Sequence, residues 1–280
     1  MKRLIKVFAN LTVAVIACMA CFCLTACEDL RTIEITFEVY NTAENVVEEK
    51  TLTVTMYRHL APETVDAITG YAKDGYYDGA VIYQNTSYSS QLMLGSIISK
   101  DGELTFNEVK PEIKGEFKRG GTVGSDLTNV RGAVGLWRTW TVNENGYKTN
   151  GSTATGRAEW FMPTSSLSNY NGEFCVFAKI DLDDETNSDT FTEITTYAGG
   201  SNRTSYTVYY TGEYDETKVN ENFGLTGHIV KTSDYEEPDD LFTAEGNQYV
   251  EYNKKTINVP TYEKANVTNF GVVVKSVKVK

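Results

Sequence analysis

Residues 61–84 read APETVDAITGYAKDGYYDGAVIYQ, and they are the most informative feature of the chain. Pro62 suits the first turn of a helix, where its missing N–H is not needed, and Glu63 lies near the positive end of that helix. The apolar residues that follow recur on one helical face: Val65, Ile68 and Ala72. Gly75 and Gly79 bracket a turn, and the segment after them reads as a strand ending at Gln84.

Two strands precede this helix. Arg31–Tyr40 alternates strictly between apolar and polar residues, and Leu52, Val54 and Met56 repeat the pattern. Alternation with a period of two predicts half-buried strands, here joined by a polar turn around residues 41–49. The apolar face of the first strand consists of Ile33, Ile35, Phe37 and Val39.

Three further blocks follow in order. Residues 113–138 read IKGEFKRGGTVGSDLTNVRGAVGLWR, residues 158–180 contain EWFM and YNGEFCVFAKI, and residues 272–280 form an apolar closing strand. Together with GYYDG in the opening stretch, these motifs resemble those of cyclophilin-type peptidyl-prolyl isomerases in their order and spacing. The resemblance covers most of residues 33–198 and the last twenty or so.

The resemblance implies a mainly β fold: a closed eight-stranded antiparallel β-barrel with two short helices. The predicted domain is 33–280, and a tyrosine-rich insertion, 199–255, stands before the last strand. The acidic run at 181–189 lacks the glycine and the glutamate of a calcium-binding EF-hand loop, so we interpret it as a solvated loop. The implied activity is rotation about X–Pro bonds in peptides, which requires no metal and no cofactor.

The resemblance also assigns the site residues. Gln84 stands where the family has its catalytic arginine, Phe161 keeps the phenylalanine under the proline ring, and Glu159 replaces a glutamine. The remaining substrate-binding positions are Leu94 for a glutamine, Trp137 for a small alanine, Asn169 near a tryptophan and Phe174 for a histidine. Arg138, beside Trp137, is a candidate substitute cation, although a surface arginine is usually only solvated.

The first 26 residues have the pattern of an export signal. Lys2, Arg3 and Lys6 precede an apolar run, and Leu24-Thr25-Ala26-Cys27 matches a bacterial lipobox. We therefore expect lipid attachment at Cys27, a tether over 27–32, and an extracytoplasmic domain anchored to the bacterial cell membrane. An ordinary secretory signal or a short membrane anchor are the alternatives.

Composition limits the possible functions. The net charge is −12, and it becomes about −15 once three cations and no acid leave with the signal. Such an acidic chain without a basic run is a poor candidate for binding nucleic acid. After processing, Cys175 is the only thiol besides Cys27, so neither a structural disulfide nor a cysteine metal site is available.

Three functional hypotheses remain open. The first is a membrane-anchored prolyl isomerase that acts on exported proteins, with activity reduced by the loss of the arginine. The second is a catalytically silent module that binds a peptide or a partner protein through the same cleft. The third is a surface lipoprotein that binds glycans or solutes through residues 199–255.

Overall fold

The structure, a computed structural model, describes residues 29–118, 127–138, 154–213, 224–241, 254–265 and 267–280, together with 215, 217, 218 and 221. The predicted signal segment and Cys27 lie outside the described residues. None of the helices in the described part of the chain has both the length and the apolar character needed to cross a membrane.

The fold is mainly β, as predicted. In chain order the strands are β1 (Leu30–Asn41), β2 (Val46–Tyr57), β3 (Gln84–Asn85), β4 (Gln91–Leu94), β5 (Ile97–Lys100), β6 (Glu103–Phe106), β7 (Ile113–Lys114), β8 (Ala133–Arg138), β9 (Ala154–Pro163), β10 (Val176–Ile180), β11 (Arg203–Thr211), β12 (Thr226–Lys231), β13 (Lys255–Lys264), β14 (Val267–Phe270) and β15 (Val272–Val279). The α-helices are α1 (Pro62–Lys73) and α2 (Glu185–Gly199).

Eight strands form a curled antiparallel sheet in the order β15-β1-β2-β10-β8-β9-β4, with β7 also paired to β9. Residues 79–83 bond to both of its edge strands. The Ile82 N–H donates to the Val272 carbonyl of β15, and Tyr83 exchanges backbone hydrogen bonds with Met93 of β4. These contacts are isolated bridges, so complete closure of the barrel stays a prediction.

The helix after Pro62 is confirmed, and Val65, Ile68 and Ala72 are buried on its inner face. No side chain of α1 caps its N-terminus. The carboxylate of Glu116 instead accepts hydrogen bonds from the N–H groups of Glu63 and Thr64, at 3.0 and 2.8 Å. Glu116 therefore satisfies two N–H groups that have no partner within the helix.

The solvated-loop interpretation of residues 181–189 is wrong for its second half, where α2 begins. The Asp184 side chain accepts a hydrogen bond from the Asn187 N–H at 2.8 Å and so caps the helix. Phe191 and Ile194, one helical turn apart, are buried against the first sheet. The acidic run is a helix start, since aspartate at the N-cap and glutamate in the first turn favour that position.

A second sheet follows α2. Its strands run in the order β12-β11-β13-β14, and β3 from the first part of the chain pairs with β13. Strands β11 and β12 lie within the predicted insertion. Strand β13 begins at residue 255, where the insertion was expected to end, and continues beyond it. The proposed division of the chain into domains stays a prediction.

Two apolar clusters organise the interior of the part of the chain that the structure describes. The inner cluster lies between the curled sheet and the two helices and includes Ile33, Ile35, Phe37 and Val39, which confirms the alternation predicted for β1. The intersheet cluster joins the outer side of the first sheet to the second sheet. Its fully buried or nearly buried members are Val81, Tyr83, Met93, Ile97, Phe161, Phe174, Tyr206, Val208, Tyr210, Leu225, Ile257 and Val259.

Candidate functional site

The candidate site is built around Phe161 on β9. Phe161 lies opposite Met93 of β4 and Gly135 of β8 in the sheet register, at the centre of the intersheet cluster. The rings of Phe174 and Trp137 meet it edge to face, at centroid distances of 5.2 and 6.0 Å. The structure thus brings together three of the residues that the sequence assigned to substrate binding.

A stack of aromatic rings forms one wall of this site. The Phe174 ring lies between Trp137, at 5.3 Å, and Tyr170, at 4.6 Å, with interplanar angles of 24° and 29°. Tyr170 also meets Phe161 edge to face at 5.8 Å. Stacked and edge-to-face rings each add stabilisation beyond their buried area, so the rings of this apolar wall hold one another in place.

Gln84, at the position of the family arginine, is buried and held at both ends of its amide. Its Nε2 donates to the Ser89 carbonyl at 3.2 Å, and its Oε1 accepts from Nη1 of Arg203 at 3.3 Å. Arg203 begins β11, in the second sheet, and its side chain is exposed. A guanidinium therefore lies beside the arginine position but comes from a segment about 120 residues further along the chain.

Glu159 belongs to a hydrogen-bond cluster beneath the second sheet. Its Oε1 accepts from the Ser96 hydroxyl at 2.7 Å and from the Tyr83 hydroxyl. Burial raises the pKa of Tyr83 well above its ordinary value, and the charge of Glu159 raises it further. Tyr83 is accordingly a neutral donor that holds the carboxylate in place.

Two predicted site residues are not part of this arrangement. Leu94 is fully buried in the inner cluster, because neighbouring residues of a strand point to opposite faces and Met93 takes the outer one. Asn169 is exposed in a short 3-10 turn, and the next residue, Tyr170, supplies the aromatic wall instead. Met93 and Tyr170 were missed, although each adjoins a predicted residue and is the larger apolar side chain of its pair.

Arg138 is not the solvated surface residue that the sequence suggested. Its side chain is buried, and the guanidinium carbon lies 4.2 Å from the Phe117 ring centroid and 5.5 Å from that of Phe174. The carboxylate of Glu173 is 3.7 Å from its Nη2. Arg138 supports the aromatic wall through cation–π contacts, which lie within the usual limit of about 6 Å.

The second sheet covers the site. Tyr206, Val208, Ile257 and Val259 of β11 and β13 belong to the same buried cluster as Phe161, and the exposed fraction of Phe161 is 0 %. A cavity of about 110 Å³ remains between the sheets, lined by residues that include Ser96, Trp137, Glu159, Tyr210 and Lys255. The floor of the predicted proline pocket is therefore closed off in this structure.

Metal-binding side chains do not gather in the described ranges, where no three His, Cys, Asp or Glu residues lie close enough to hold an ion. The two histidines of the sequence have separate surroundings. His59 meets the Tyr57 ring edge to face, and His228 Nε2 shares a 2.9 Å hydrogen bond with Thr211 of β11.

Comparison with known proteins gives one family. The family model for "Cyclophilin type peptidyl-prolyl cis-trans isomerase/CLD" matches residues 41–210. Two solved structures of a cyclophilin type peptidyl-prolyl cis-trans isomerase from Cryptosporidium parvum are similar, each with 16% identity. The first match covers 58% of this chain and 84% of that protein with a TM-score of 0.37. The second, in the presence of the dipeptide Ala-Pro, covers 56% and 84% with a TM-score of 0.33. No curated protein matches the chain.

Proposed function

Because this chain belongs to the cyclophilin-type peptidyl-prolyl cis-trans isomerases, we propose that it is a membrane-anchored prolyl isomerase of low activity. Its substrates are proline-containing segments of exported proteins. The observation that carries the proposal is the aromatic cluster around Phe161, which has the apolar character that a proline-ring pocket requires. The low activity follows from the residue beside that site, Gln84.

To catalyse X–Pro rotation, an enzyme must stabilise the amide in its twisted transition state. The bond loses its delocalisation in the transition state, and a fixed donor toward the proline nitrogen stabilises that state. A neutral amide does this less well than a permanent cation. Removing one preorganised donor costs about 3 kcal/mol, or roughly a hundredfold in rate. The Nε2 of Gln84 is moreover already bonded to the Ser89 carbonyl.

The test places an arginine at position 84 and removes the arginine at position 203. Gln84→Arg alone would place two guanidiniums where the 3.3 Å bond to Arg203 now lies. The informative protein is therefore the double variant Gln84→Arg/Arg203→Gln, with Arg203→Gln alone as its control. In a protease-coupled assay on an Ala-Pro peptide, we expect the double variant to exceed wild type by about ten- to a hundredfold. Wild-type activity equal to that of the double variant would contradict the proposal of a weakened site.

Membrane attachment is proposed from the lipobox at Cys27. A diacylated cysteine carries two acyl chains, which suffice for stable anchoring. Labelling cells with a radioactive or clickable palmitate should mark the wild-type protein in the membrane fraction. The Cys27→Ala variant should carry no label and should no longer be found in the membrane fraction. A labelled Cys27→Ala protein would exclude this site of attachment.

A second candidate function is a silent binding module, and the complete burial of Phe161 favours it. Such a module would hold a peptide or a partner protein through the same cleft and would not turn over a proline bond. An isomerisation rate in the protease-coupled assay that stays at the uncatalysed value for both wild type and the double variant would favour this alternative.

A further inference from the structure

Strand β13 lies against the strand that carries the candidate catalytic position. In the antiparallel register, Asn258 pairs with Gln84 and Ile257 with Asn85. The Thr86 hydroxyl, one residue further on, donates to the Thr256 carbonyl at 3.0 Å. The backbone edge beside Gln84 is therefore occupied by this chain's own segment, which lies there as an extended strand.

The side chains of this segment fill the space over the aromatic site. Ile257 and Val259 alternate along β13, and both are fully buried in the intersheet cluster that contains Phe161. A peptide whose proline ring is to rest on Phe161 needs the same apolar space. The side chains of β13 and the proline ring of a peptide cannot occupy this space together, because protein interiors are close-packed.

The polypeptide chain passes between the second sheet and the rest of the protein at two glycine-containing connections. The chain enters it after α2 through Gly199 and Gly200 and leaves it at Gly271, directly before β15. Within the described residues, its only strand ladder to the first part of the chain is the two-residue pairing with β3. Hinges for rigid-body opening are a few loop or element-terminal residues, often small ones, and both connections are of this kind.

We propose that strands β11–β14 of the second sheet are an intramolecular cover that competes with proline-containing peptides for the Phe161 site. This inference rests on the proposed function, because it concerns access to the same site. Peptide binds only the fraction of molecules in which β13 has separated from Gln84 and Asn85. The apparent affinity is lowered by that fraction, and anything that favours the open form raises binding and turnover together.

A reversible cross-link tests the cover within one folded protein. Thr86 directly follows the paired residue Asn85, and its hydroxyl donates to the Thr256 carbonyl, so Thr86→Cys/Thr256→Cys in the mature chain would hold the cover closed when oxidised. Binding of an Ala-Ala-Pro-Phe peptide is measured by calorimetry before and after reduction. Thiol titration verifies both states. We expect binding at least tenfold tighter in the reduced protein, and Phe161→Ala in that background should abolish it.

A second pair of variants does not depend on the cross-link. Ile257→Ala removes part of the cover over the site and should tighten peptide binding severalfold. Val267→Ala, on the exposed edge of the same sheet, should leave it within about twofold. Near-UV circular dichroism confirms that each variant is folded.

The outcomes separate the cover from the isomerase activity. Equal peptide binding in the oxidised and reduced proteins, or no binding in either, would overturn the cover. Tighter peptide binding in the reduced protein, without any acceleration of proline isomerisation, would support the cover and contradict the proposed activity. Equal isomerisation rates in the two forms would retain the activity and reject the cover.

Discussion

Gly135 lies directly against Phe161: a Cβ added to Gly135 would be 2.3 Å from both Cε1 and Cζ of the ring. The two residues face each other across the β8–β9 ladder. Side-chain carbons do not approach this closely, so the ring that defines the candidate site occupies its position only because residue 135 has no side chain.

We therefore predict that Gly135→Ala destabilises the protein by about 1–3 kcal/mol, the usual cost of overpacking a buried site. Urea denaturation measures the change. Adding Phe161→Leu should recover part of the loss, since it removes the ring atoms that clash. Gly70→Ala is the control. Gly70 is inside α1 with open space around it, and alanine there should stabilise by about 0.5–1 kcal/mol. An unchanged stability in Gly135→Ala would show that the ring moves freely.

Glu116 is expected to stabilise α1 from a distance. Replacing it with alanine leaves the N–H groups of Glu63 and Thr64 without their acceptor, one of them in a buried position. We predict a loss of about 1–3 kcal/mol in the free energy of unfolding. The control is Glu108→Ala, which removes only a surface ion pair with Lys110 and should change stability by less than about 1 kcal/mol. Equal effects in the two variants would rule out a capping role.

The hydroxyl of Tyr83 is predicted to hold Glu159 in place. Tyr83→Phe removes its bond to the carboxylate and should cost about 1.5–3 kcal/mol, the range for hydrogen bonds to charged groups. The matched control is Tyr235→Phe, which removes a Tyr–Glu bond at the surface, and there we expect at most about 0.5 kcal/mol.

The same variant has a pH signature. The pKa of Tyr83 is raised in the folded protein, so its contribution is fully present below the unfolded pKa of about 10 and is lost as the pH rises above that value. The stability difference between wild type and Tyr83→Phe should accordingly shrink from pH 9 to pH 11. A constant difference over this range would contradict the raised pKa.

Cys175 is predicted to be unreactive in the folded protein. Burial raises the pKa of its thiol to about 12, with a further contribution from the charge of Glu116. At pH 8.5 the thiolate fraction is then about 3 in 10,000, compared with about half in the unfolded chain. In a chain that begins at residue 29, where Cys175 is the only cysteine, Ellman's reagent should react at least a hundredfold faster in urea than in buffer. Comparable rates would mean that the thiol is accessible in the native state.

Much of the fold was predictable because it depends on local pattern. The alternation of β1 and the helical spacing after Pro62 are properties of neighbouring residues, and both appear in the structure as expected. The motifs in order then indicated the family, and with it the meeting of Phe161, Trp137 and Phe174. The periods of strands and helices do not depend on what they pack against, so a sequence records them directly.

The faces and partners of the site were decided only in the tertiary structure. Leu94 and Met93 are neighbours in the chain, but their side chains point to opposite faces of β4. Leu94 lies in the inner cluster, and Met93 lies in the intersheet cluster at the site. Arg203 reaches Gln84, and Ile257 joins the buried cluster that contains Phe161, from positions roughly one hundred or more residues away in the chain. Such contacts result from how two sheets pack together, and no spacing within either segment records them. Local pattern and ordered motifs specify a β fold with an aromatic site, whereas the closure of this site results from the packing of the second sheet.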